Sequence, residues 1–280
     1  MRTLPPDACL HVRESLPETV SREVVEWLQE RPDATLRLDA LAFQLLRRLG
    51  AAAPRRLVLG AGPPPTGLPA LQRVECVTFS ASEGIAGWLR RLPNARIVRI
   101  ALRGTRFDAT QAADVPLDGL SIVEGSVANL RALEATGLRA LELRDVAVDC
   151  FDEVGALPQL GALRASAVER VRSLSGLSGH ARLRSIWLQR LPHLERLSGL
   201  LALPSLESLE LAELWQFGML EAEVLYSLPR LARASIDIGG RRKNVEINKR
   251  LRLPAAAPFC LEREASPAKP GGNGYDLTTS

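Results

Sequence analysis

The stretch LRSIWLQRLPHLERLSGLLALPSLESLEL, residues 183–211, puts leucine or isoleucine at 183, 186, 188, 191, 194, 197, 200, 203, 206, 209 and 211. A three-residue rhythm fits neither the period of about 3.6 of a helix face nor the strict alternation of a strand. It fits a composite unit. LRSIWL reads as a short strand with 186 and 188 facing inward, and the arm that follows coils tightly, as 3₁₀ geometry allows, with an inward leucine at about every third residue.

The opening phrase of that unit recurs along the chain. RIVRIAL (96–102), LDGLSI (117–122), LRALEL (138–143), LGALRA (160–165), LESLEL (206–211) and LARASI (231–236) repeat its pattern, with weaker copies at ATLRL (34–38), RRLVL (55–59) and VECVTF (74–79). Anchoring each phrase on its fourth position gives Leu36, Leu57, Val77, Ile100, Leu120, Leu141, Leu163, Ile186, Leu209 and Ala234. The intervals are 21, 20, 23, 20, 21, 22, 23, 23 and 25, too regular for chance.

These phrases resemble the leucine-rich repeat, L-x-x-L-x-L followed by a helical or irregular return. The resemblance covers residues 34–238 and implies an α/β solenoid of about nine or ten units, with a parallel sheet lining a concave face and helical or 3₁₀ returns outside. One departure is clear. The asparagine or cysteine expected three residues after the strand is replaced by Gly62, Ser82, Thr105, Gly125, Val146, Val168, Leu191, Leu214 and Gly239. An apolar residue often fills the asparagine's place, which leaves the sharpness of the turns unexplained.

Flanking segments complete the organisation. Residues 1–33 read as an N-terminal cap, because SREVVEWLQERP (21–32) sets Val24, Trp27 and Leu28 on one helical face with Ser21 placed as N-cap. Ser82 and Ser126 are the N-caps expected for helical returns at 82–93 and 126–137. Residues 239–263, opening GGRRKNVEINKRLRLP, break the repeat and read as a C-terminal cap, in keeping with the basic closing segment of bacterial members of the family. The Pro-, Gly- and Thr-rich remainder, 264–280, reads as a disordered tail.

Composition narrows the function classes. Lys243, Lys249 and Lys269 are the only lysines, and the arginines alternate with acids to leave a formal charge of +4, a mixed surface rather than a nucleic-acid footprint. The basic cluster Arg241, Arg242, Lys243, Lys249, Arg250 and Arg252 has no aromatic among it on which a base would stack. Cys9, Cys76, Cys150 and Cys260 stand alone and His11, His180 and His193 are scattered, so neither metal-ligand spacing nor a catalytic motif is present. With no signal sequence and no apolar run long enough for a membrane, the expectation is a monomeric, cytoplasmic, bacterial protein. It is expected to be non-enzymatic and to need no cofactor.

The residues between the inward positions should line the concave face. By register they gather Arg99, Arg103, Glu142, Arg144, Arg164, Trp187, Gln189 and Glu210 on the middle and later repeats. A tryptophan flanked by arginines and carboxylates has the composition of a protein-binding hot spot. The expected function is binding of a protein partner on that face, as in immunity-type proteins; the alternatives are an enzyme's regulatory subunit, like the short-repeat phosphatase regulators, or a host-targeted effector. On this reading Trp187 is exposed, and Trp187→Ala should weaken partner binding by about 2 kcal/mol while leaving stability unchanged.

Overall fold

A computed structural model describes residues 8–266. Each repeat phrase forms one strand of a parallel sheet. The strands are β1 (Cys9–Val12), β2 (Thr35–Leu38), β3 (Arg56–Leu59), β4 (Cys76–Phe79), β5 (Ile97–Ala101), β6 (Arg106–Asp108), β7 (Gly119–Ala128), β8 (Ala140–Ala147), β9 (Ala162–Ser166), β10 (Ser185–Gln189), β11 (Ser208–Ala212) and β12 (Arg233–Asp237). They lie in chain order, except that β6 stands aside and pairs only with the far half of β7. The result is an α/β arrangement of repeated strand and return, consistent with a repeat solenoid.

Strand register follows from the inward residues. Leu36, Leu57, Val77, Val98, Leu120, Leu141, Leu163, Ile186, Leu209 and Ala234 are aligned across the sheet, and all are buried. Two residues on, a second row runs from Leu38 through Phe79, Ile122 and Leu188 to Ile236. The fourth repeat corrects the sequence reading: Val98, not Ile100, is its anchor, since Val77 pairs with Val98 and Val98 with Leu120. In RIVRIAL both alternate residues are apolar, so the phrase fits two registers shifted by two, and stacking against Leu120 selects one.

In the quoted stretch, Leu191, Leu194, Leu197, Leu200, Leu203 and Leu206 are all buried, and Ser198–Ala202 is a 3₁₀ turn, as the rhythm predicts. The turns after the strands are sharp without asparagine. Glu124, Asp145, Ala167, Arg190 and Glu213, each four residues past its anchor, adopt φ between 51° and 60°. This left-handed conformation costs a non-glycine residue roughly 1 kcal/mol. Stacking offsets that cost: the Ala167 and Arg190 amides donate to Gln189 and Ala212 of the next repeat, and Val146, Val168, Leu191 and Leu214 fill the asparagine slot as a buried apolar ladder. Gly125 is required where β7 passes β6, because a Cβ there would lie 2.3 Å from the Thr105 carbonyl oxygen.

The expected serine caps do not form. The first helix runs Glu18–Glu30 with Pro17 before it, and Ser21 is buried inside, its hydroxyl donating to the Leu16 carbonyl. Val24, Trp27 and Leu28 face the core as predicted. Ser82 bonds to Thr105, while the helix Ile85–Leu89 starts after Gly84 in the left-handed region; Ser126 lies within β7, and its return is the 3₁₀ segment Leu130–Ala135. Also unforeseen is β1, which precedes the helix and extends the sheet beyond β2.

At the other end the helix Arg241–Leu251 closes the edge of β12. The Asn248 side chain accepts from the Ile236 amide at 3.3 Å and donates to its carbonyl at 2.8 Å, so one side-chain amide stands in for the peptide group of a further strand. Asn244 accepts from the Ile238 amide, and the Pro254 carbonyl from the Ala234 amide. Satisfying edge groups in this way prevents the stack from adding a further strand from another chain. Two basic residues are committed here, Lys243 to the Phe217 carbonyl at 2.7 Å and Arg250 over the Tyr226 ring. The expected tail falls outside the described residues except for 264–266. Asn248→Ala should leave the Ile236 groups unpaired and cost about 1–3 kcal/mol in a urea unfolding titration, with Asn244→Ala less damaging because it serves a single backbone group, its other bond going to the exposed Asp237 carboxylate.

Candidate functional site

The front face of the sheet, opposite the core, brings five of the eight predicted residues into one row, together with Ser121. Arg99, Ser121, Glu142, Arg164, Trp187 and Glu210 are consecutive register partners on β5, β7, β8, β9, β10 and β11. Ser121 donates to Glu142 at 2.7 Å, and Arg164 lies 3.5 Å from the same carboxylate. Arg144 and Gln189 sit one row further along the strands. Gln189 donates to Glu213 at 2.6 Å and accepts from Ser166, whereas Arg144 is exposed. Arg103 does not join them. With Arg99 in the row, Arg103 falls past the strand in a left-handed turn with φ of 50°, exposed to solvent.

The row is not open to solvent as expected. After the edge-closing helix the chain turns at Arg252 and crosses the front face from β12 back to β5. Ala256 donates its amide to the Ser235 hydroxyl. The Ala257 carbonyl accepts from the Trp187 indole at 3.1 Å, and Phe259 meets the Trp187 ring edge-on with centroids 5.0 Å apart. The Arg164 guanidinium lies over Phe259 at 5.8 Å. The short helix Leu261–Ala265 then packs on β7 and β8, and Glu262 ends the crossing in an ion pair with Arg99 at 2.6 Å. Trp187 is therefore 5% exposed and Glu142 8%. Both were expected in solvent, and residues 254–266, here called the strap, are the reason.

A seat for the strap is built into the strands. The position just before the inward anchor is Gly119, Ala140 and Ala162 on β7, β8 and β9, and the last two form a small apolar cluster with Trp187, Leu261 and Ala265, separate from the main core. A Cβ on Gly119 would lie 3.0 Å from that of Ala265 and 3.3 Å from Leu261, so the glycine sets how closely the helix approaches. Sequence reasoning missed Phe259, Leu261 and Glu262. Their signal is the apolar pair Leu261 and Ala265 at i and i+4 just after Phe259, inside a segment that otherwise reads as cap and tail.

Charge at the site follows burial and pairing. Burial acts to raise the Glu262 carboxyl, but the hydrogen bond and charge of Arg99 outweigh it and hold the group below its ordinary value. Glu210 is displaced the other way, raised by burial with Arg164 only partly offsetting it. Cys76, beside Arg99 at 3.4 Å, is raised by burial despite that arginine. Elsewhere, both ring nitrogens of His180 are engaged: Nε2 lies 2.8 Å from the Leu157 carbonyl and so carries the proton, while Nδ1 accepts from the Arg182 and Leu183 amides. Among the described residues no cluster of His, Cys, Asp and Glu could hold a metal, and no helix is long and apolar enough to cross a membrane.

No protein-family model matches the chain, and no curated protein is significantly similar to it.

Trp187→Ala should now cost about 3 kcal/mol in chemical unfolding, near the low end for a buried aromatic because the strap can settle into the space. This reverses the expectation from sequence. A carboxyl held below its unfolded value contributes stability that is present above the ordinary carboxylate range and is lost as pH falls through the folded pKa. Acidification below about pH 4 should accordingly shift the Trp187 indole NMR signal as the strap loosens, and Glu262→Gln should abolish that pH dependence.

Proposed function

We propose that this chain is a leucine-rich-repeat protein that works without catalysis, as a cytoplasmic module binding a partner protein on the front face of its sheet. The observation that carries this reading is the strap itself: the face holds a foreign-looking segment through aromatic, aliphatic and ionic side-chain anchors, the chemistry by which a repeat protein grips a ligand. Fold alone does not establish function, so the weight rests on that face. An aromatic anchor beside arginines and carboxylates is typical of interface centres, and the exposed Arg103 and Arg144 make no ion pair among the described residues. An immunity-type role, masking a toxin, is the version we favour, with a regulatory subunit of an enzyme or a host-targeted effector as the alternatives; a toxin encoded beside the gene would decide for the first.

Arg144 is exposed one row from the strap's seat on β8, and its side chain makes no hydrogen bond or ion pair among the described residues, which makes it the cleanest reporter of binding. Arg144→Glu should leave unfolding unchanged yet slow association with the captured partner, by a factor that shrinks as salt is raised. Equal association rates for the wild-type and substituted chains at low salt would rule the front face out.

A further inference from the structure

We propose that the strap is an intramolecular occupant of a peptide-docking face, and that the partner bound there presents an aromatic residue followed three positions later by a carboxylate, the spacing of Phe259 and Glu262. This rests on the interaction-module reading and adds to it both the chemistry of the ligand and a means of regulation.

The manner of attachment argues for a displaceable ligand over a fixed part of the fold. A strand joins a sheet through its backbone, but here β5 and each of β7 to β11 already have two neighbours, so the face offers only side chains. Beyond the Pro254 carbonyl, which accepts from the Ala234 amide at the β12 edge, the strap's backbone touches that face at two points: the Ala256 amide on Ser235 and the Ala257 carbonyl on Trp187. Phe259, Leu261, Glu262 and Ala265 do the rest, and Leu261 and Ala265 belong to the small front cluster instead of the continuous core. The receiving surface is organised without them. Ser121, Glu142 and Arg164 satisfy one another, so apart from the Ser235 hydroxyl and the Ala234 amide at the β12 end, where the strap is tethered, the groups that give up a strap partner on its departure are the Trp187 indole and Arg99. Those two groups define what must replace it: a carbonyl and ring edge at Trp187, and an anion at Arg99.

A tethered segment competes at an effective concentration on the order of millimolar, so a free ligand sees its affinity reduced by the fraction of chains in which the strap is seated. The strap thereby sets a threshold, admitting ligands that match its anchors better than it does itself.

The test uses the full-length chain and a fluorescent synthetic peptide of residues 254–266 carrying Cys260→Ser. In the chain bearing Phe259→Asp and Leu261→Asp the strap cannot seat, and the peptide should bind at least tenfold more tightly than to wild type. A peptide with Glu262→Arg should lose at least tenfold on that variant and regain it when the chain also carries Arg99→Glu. Hydrogen exchange on the wild-type chain guards against misfolded variants: the Ala256 amide, held by the Ser235 hydroxyl, and the Trp187 indole should exchange at least tenfold faster than the Leu141 and Ile186 amides. Peptide binding to neither chain, strap exchange as slow as the core, or a concentration-dependent dimer formed by exchanged straps would each overturn the proposal. The interaction-module reading is judged separately, by Arg144→Glu.

Discussion

No repeat of this chain can bury its own leucines. Each unit presents two inward side chains from its strand and several from its return, and these become dry only when the next unit lies against them in register. Most of what the structure does follows from that constraint. It selects Val98 over Ile100 in the fourth repeat, and it sustains a left-handed residue in repeat after repeat, with the amides of Ala167 and Arg190 received by the neighbouring repeat. It also creates two ends that cannot be finished by repetition. At one end the sheet gains β1 with the helix Glu18–Glu30 beside it. At the other, two asparagines on a helix complete the hydrogen bonds of the last strand.

The same constraint determines what the front face can be. Because both edges of every internal strand are used, anything lying on the face must be recognised through side chains alone. The strap meets this requirement in a regular way. Moving from β12 to β5 it touches Ser235, Trp187, Arg164, the small residues Gly119, Ala140 and Ala162, and finally Arg99. Phe259 stands at Trp187 on β10 and Glu262 at Arg99 on β5, four strand spacings or about 19 Å apart, so the lengths of the Phe259, Glu262 and Arg99 side chains make up what three residues of backbone do not.

The repeat was legible in the sequence because periodic burial leaves a periodic trace. All ten phrases became strands, and the arm from Leu191 to Leu206 coils with the leucines inward as its rhythm indicates. What escaped was whatever occurs only once. Asn244 and Asn248 are ordinary polar residues until β12 is placed beside them, and β1 is four residues with no repeat to announce it. The site was half legible. Parity places Glu142, Arg164 and Trp187 on the front face correctly, but parity says only which way a side chain points, not what lies above it. Arg103 was lost to the two-residue ambiguity of RIVRIAL, and the serine caps failed because pattern locates a helix better than it locates its first residue.

Trp187 shows how the two kinds of information combine. A tryptophan on a sheet face opposite the core has about as much apolar surface as any side chain can offer, and leaving it in water is unfavourable. Its indole N–H also requires a partner once it is covered. The strap supplies both, a ring edge from Phe259 and a carbonyl from Ala257, while Arg164 spans between Phe259 and Glu142 and so joins the apolar contact to the polar row. The demand belongs to Trp187 and the face around it, and any segment bringing a ring, a carbonyl and an anion at the same spacing would meet it equally well. A surface that specifies its cover so closely, yet holds it by so few backbone bonds, is the physical basis on which we propose a binding site with its own chain as the first ligand.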